Sequence, residues 1–147
     1  MFGKSLFEGH GMTNDFSKIR PLFVNSVVYE LPYEGNVRKG ISYADNARVF
    51  DIYLPEQVEE PAPLVVLVTG YPDLDFEEQV GMKQMEVQSY RDWAKLLAAS
   101  GMAAVIYSNV EPVEDVFMLL DFLRCEADQL QIDPARIAVW SCSGNVP

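Results

Sequence analysis

Ile137-Ala138-Val139-Trp140-Ser141-Cys142-Ser143-Gly144-Asn145 decides the fold class of this 147-residue chain. The run Ile137 to Trp140 is apolar without alternation, which suits a buried strand covered on both faces. Ser143 then stands in a small-x-Ser-x-small frame set by Ser141 and Asn145. A sharp strand-to-helix turn needs that frame, because bulky side chains two positions either side would collide. Such a turn holds the serine hydroxyl clear of the sheet. The N–H of the next residue, Gly144, then points to where an acyl oxyanion would develop.

Two upstream runs share the unbroken apolar character. Leu64-Val65-Val66-Leu67-Val68 and Ala103 to Tyr107 are expected as further buried strands. The first ends at Thr69-Gly70-Tyr71-Pro72, a strong turn signal. Tyr90, Trp93, Leu96 and Leu97 fall at helical spacing, with Ser89 and Asp92 as an S-x-x-D cap and Gly101 as the stop. Pro112 opens a second helix, with Glu114 and Asp115 near the positive end of its dipole. Its stripe of Val116, Leu119, Leu120, Leu123, Ala127 and Leu130 faces the core. Asp133-Pro134 marks the turn before the last strand.

Val27 to Leu31 and Val49 to Leu54 read as two early antiparallel strands, with Gly35, Asn36 and Gly40 in the connection between them. Pro55 to Pro63 and the acidic stretch Asp73 to Met85 are expected as solvated surface loops. Residues 1–25 show no period and form an irregular extension; residues 26–147 form the domain portion. Strands alternating with helices imply an α/β fold, a mostly parallel sheet covered by helices and joined by right-handed crossovers.

At 49% hydrophobic and 22% charged, the chain has apolar material for a sizeable core. The formal net charge of -11 argues against nucleic acid or an anionic membrane surface as a partner. No run approaches the length of a membrane span, and the first 20 residues lack the apolar core of a signal peptide. Cys125 and Cys142 make neither a disulfide framework nor a metal site, so reduced thiols and a cytoplasmic location are expected. No cofactor or metal is called for. Asp73, Asp75, Glu77 and Glu78 are expected to be a solvated cluster rather than a cation site.

The segment from Asp133 to Asn145 resembles the fifth strand and nucleophile elbow of the α/β-hydrolase family, in its dienelactone-hydrolase-like and esterase members. The resemblance covers roughly residues 26 to 147. Ser141 and Asn145 stand where glycines are common; serine is small, and asparagine tolerates unusual backbone angles. The resemblance implies Ser143 as nucleophile, acting on a small-molecule ester or similar acyl bond through an acyl-enzyme. It also implies the loop after the third strand as the source of a second oxyanion-hole donor. Gly70 matches the family glycine there, Thr69 replaces the usual histidine, and the Tyr71 N–H pairs with that of Gly144. Tyr71 could instead line the acyl pocket. Cys142, off the centre of the frame, is the weaker candidate nucleophile.

The family takes its acid and histidine from downstream of the serine. This chain's one histidine, His10, lies upstream. The expectation is therefore an N-terminal half that ends just after the elbow, lacks the C-terminal strands, leaves its last strand as an exposed apolar edge, and is inactive alone. The alternatives are a non-catalytic relative that binds a ligand, a remnant without activity, or a peptidase or lyase on the same scaffold. The oligomeric state is not legible.

Overall fold

The three unbroken apolar runs form the parallel part of one sheet in the computed structural model, which describes residues 20–25, 33 and 35–141. The strands are β1 (Val37–Ser42), β2 (Val49–Tyr53), β3 (Ala62–Leu67), β4 (Ala103–Tyr107) and β5 (Ile132–Trp140). They lie in the order β1-β2-β4-β3-β5. β3 pairs in parallel with both β4 and β5, while β2 runs antiparallel to β1 and to β4. The helices are α1 (Arg20–Val24), α2 (Asp73–Val80), α3 (Gln88–Ala99), α4 (Pro112–Cys125) and α5 (Ala127–Leu130), with a 3-10 turn at Gln84–Glu86. The fold is α/β, a mixed five-stranded sheet flanked by helices.

Alternation within the apolar strands supplies two cores. Leu64, Val66, Ala103, Val105 and Tyr107 pack with Val116, Leu119 and Leu123 of α4 on one face. Leu67, Ala104 and Ile106 pack with Ala94 and Ala98 of α3 on the other. The path β3–α3–β4 steps one way along the sheet, and β4–α4–α5–β5 steps back across β3. Right-handed crossovers in opposite directions put α3 and α4 on opposite faces.

Several elements differ from expectation. Val27 to Leu31 lies outside the described residues. Val37–Ser42, expected within a connection, forms β1, antiparallel to β2 from Val37 opposite Tyr53 to Ser42 opposite Val49. An outer strand with a half-wet face needs few apolar residues, so Arg38, Lys39 and Gly40 hid it. Asp73–Val80 is helical, not a loop. Val80 is buried and Phe76 meets Phe23 edge-on at 5.8 Å, so a one-turn apolar pair suffices to seat the helix. Gly81, at φ 76°, closes it in the left-handed conformation that glycine adopts without cost.

α3 starts at Gln88 after Val87, so Ser89 and Asp92 lie inside it rather than capping it. Asp92 accepts from Gln88 Nε2 at 2.8 Å. The face turned to the sheet is Tyr90, Ala94, Leu97 and Ala98, not the one centred on Trp93. Close approach to a sheet favours alanine, which a hydrophobicity pattern underweights. Trp93, 40% exposed, stacks obliquely on Trp140 at 5.6 Å.

The Asp133-Pro134 turn falls within β5, where the pairing with β3 shifts register between Ala62 and Leu64. Asp133 accepts from the Ala135 N–H at 2.9 Å and pairs with Arg136 at 2.6 Å. Ile137–Trp140 then pairs with Leu64–Leu67. This run is not buried: Val139 is 56% and Trp140 38% exposed. Among the described residues β5 is the edge of the sheet, so the apolar character that marked it as a covered strand faces solvent.

Candidate active site

The carboxyl ends of β4, β3 and β5 lie side by side, and each feeds a loop onto the same rim. β3 leads through Thr69–Pro72 into α2, β4 through Ser108–Glu111 into α4, and β5 into Ser141. Connections leaving neighbouring strands toward opposite faces open a crevice at those ends, where α/β sheets take their ligands. The Val68 N–H donates to the Trp140 carbonyl at 2.8 Å, which carries the β3–β5 ladder to the rim. The start of the small-residue frame is thus fixed beside the Thr69–Pro72 loop.

Of the three expected site residues, Tyr71 is described, at 41% exposure. Among the described residues its N–H has no acceptor. Ser143 and Gly144 lie outside the described residues, as do Cys142 and His10.

Beneath the Tyr71 loop is a buried polar cluster that the sequence did not announce. Asp73, expected in solvent, points inward. Its Oδ1 accepts from the Gln84 N–H at 3.1 Å and Gln84 Nε2 at 3.3 Å, and its Oδ2 from the Asn109 N–H at 3.2 Å. Gln84 Nε2 also donates to the Tyr71 carbonyl at 2.5 Å. Asn109 Nδ2 donates to Thr69 Oγ1 at 2.9 Å.

Burial raises the Asp73 pKa above the ordinary carboxylate value, and its long hydrogen bonds only partly offset this. The folded protein therefore holds a proton on Asp73 more readily than the unfolded chain. The stability this confers is full below the unfolded pKa and is lost as pH rises through the folded one. Asp73→Asn removes that titration. The stability of the native chain relative to Asp73→Asn is therefore expected to fall from acid toward neutral pH. Urea denaturation of both across that range checks it; a relative stability that rises with pH contradicts it.

A second buried carboxylate fixes the β4 loop. Asp115 Oδ1 accepts from Arg48 Nε at 2.8 Å. Its Oδ2 accepts from the Val110 and Glu111 N–H groups at 2.6 and 3.0 Å, closing the start of α4. Ser108 is tied to β2 by its Oγ, which donates to the Ala47 carbonyl at 2.7 Å and accepts from the Val49 N–H at 3.0 Å. The rim below Tyr71 and Asn109 is thus tied to the core by hydrogen bonds. Among the described residues no group of three or more His, Cys, Asp or Glu side chains is placed to hold a metal ion.

Gln84 and Asn109 carried no sequence signal as single polar residues. Asp73 did carry one, since an acid directly after a proline that follows a strand suits the first turn of a helix.

No protein-family model and no curated protein matches the chain. Solved structures do. It is similar to esterase Est22, solved with p-nitrophenol, at 19% identity and a TM-score of 0.62, over 88% of this chain and 42% of that one. A bacterial heroin esterase matches at 19% identity and a TM-score of 0.62, over 89% and 44%. An ester hydrolase from the metagenome of Lake Arreo matches at 15% identity and a TM-score of 0.62, over 88% and 41%. At these identities the likeness is one of fold. The chain shares an α/β fold with these solved structures, and it spans less than half the length of each of the three.

Proposed function

We propose that the chain carries the nucleophile half of a serine hydrolase that cleaves a small-molecule ester or similar acyl bond. Ser143 attacks the carbonyl carbon, the alcohol leaves, and water releases the acid from the acyl-enzyme. The N–H groups of Tyr71 and Gly144 hold the oxyanion formed in each step. The observation that carries this is the rim itself. In the sequence a pentapeptide with Ser143 at its centre follows β5, and β5 ends beside a β3 loop whose Tyr71 N–H has no acceptor among the described residues. The likeness to solved esterases favours an ester over a peptide as the bond cleaved.

A serine hydroxyl needs a general base, and His10 is the chain's only histidine. Turnover is therefore assigned to a polypeptide in which a histidine and a carboxylate reach Ser143. The 147-residue chain alone is expected to leave p-nitrophenyl acetate and butyrate at the background rate. The chain continued through sequence that supplies both groups is expected to hydrolyse them. Ester turnover by the 147-residue chain that survives Ser143→Ala would count against this mechanism, as would an inert continued polypeptide.

A further inference from the structure

Thr69 and Tyr71 are held from opposite sides, with only Gly70 between them. The Thr69 N–H donates to the Tyr107 hydroxyl at 3.4 Å, and Thr69 Oγ1 accepts from Asn109 at 2.9 Å. The Tyr71 carbonyl accepts from Gln84 Nε2. Gln84 is itself anchored on Asp73, and Asp73 on the Asn109 N–H. Thr69, Asp73, Gln84 and Asn109 are all buried, none more than 4% exposed. With both flanks pinned, the Gly70–Tyr71 peptide keeps little freedom, and that peptide carries the Tyr71 N–H.

Among the described residues Asn109 Oδ1 is buried with no hydrogen-bond partner, while its Nδ2 and N–H are both engaged in the cluster. We propose that Gln84, braced by Asp73 and Asn109, is a positioning residue that aims the Tyr71 N–H at the reacting oxygen. This rests on the acyl-transfer role given to Ser143 above. Gln84 touches no substrate; it acts through the Tyr71 carbonyl. An aimed donor is effective because it needs no reorganisation as charge develops, and a small misplacement of it slows the chemistry rather than the binding.

Gln84→Met keeps the length of the side chain and removes its donor. Thr69→Val, which removes the Asn109 contact, is a second route to the same loosening if Gln84→Met folds poorly. On the 147-residue chain, 15N relaxation is expected to show Tyr71 as ordered as β3. In either variant its order parameter should drop toward about 0.6 or below, with α4 unchanged. In the esterase-competent polypeptide, kcat should fall about 10–100-fold with KM nearly constant. A Tyr71 amide that stays rigid in both variants overturns the proposal. So does a loosened amide with unchanged kcat. Absence of turnover in the unsubstituted competent polypeptide overturns the hydrolase assignment instead, and with it the catalytic purpose given to Gln84.

Discussion

Ser143→Ala is expected to lower kcat/KM of the esterase-competent polypeptide by about 10⁴–10⁶-fold, to the level left by binding and the oxyanion donors alone. The size follows from the role. On the proposed role, alanine removes the atom that would form the acyl bond. Ser141 and Cys142 precede Ser143 by two positions and one. The small-x-Ser-x-small frame of the sequence is centred on Ser143 and on neither of them. Alanine also suits the small-residue turn, so the fold is expected to persist and the thermal midpoint to move little. Ester hydrolysis at successive enzyme concentrations, with circular dichroism on the same samples, separates the two effects. Loss of less than about tenfold in kcat/KM would mean that the nucleophile is another group.

Asp115→Ala is expected to produce the largest loss of stability, about 3–5 kcal/mol, or about 10–15 °C in thermal midpoint for a domain of this size. Asp115 is fully buried. Removing it leaves the Arg48 guanidinium, 19% exposed, without its inner partner. It also strips the acceptor from the Val110 and Glu111 N–H groups at the start of α4. Arg48 keeps Asp45 at 2.7 Å, but that pair is wet and contributes little. Asp115→Asn retains an acceptor and should lose less. Urea denaturation of the three proteins measures the order. Equal stability of Asp115→Ala and the native chain would show that the β4 loop is held by other contacts.

How much of this was legible beforehand depended on burial. β3 and β4 are apolar on both faces, and a run such as Leu64 to Val68 has few other interpretations. α4 was legible for the same reason, with Pro112 at its first position and Val116, Leu119 and Leu123 inside. β1 was missed because a strand with one wet face writes a weak pattern, here broken by Lys39 and Gly40. α2 was missed because its acidic residues dominate the composition, although its contacts rest on Phe76 and Val80. α3 was found but turned, because Ala94 and Ala98 do the packing while Trp93 has the larger hydrophobicity.

The candidate site divided in a similar way. The Thr69–Pro72 loop was legible because a turn after an apolar strand is a local signal. Ser143 is proposed from the small neighbours that such a turn needs, and it lies outside the described residues. Asp73, Gln84 and Asn109 come from three separate elements, and their meeting is a product of the fold that no local pattern carries.

The most direct test is to treat the esterase-competent polypeptide with a fluorophosphonate and locate the adduct by tandem mass spectrometry of the peptide that holds residues 137–147. The expected result is a single phosphonyl group on Ser143, absent from Ser143→Ala. An adduct on Cys142 or Ser141, or an unmodified peptide from a protein that still hydrolyses esters, would contradict the assignment of Ser143 as the nucleophile.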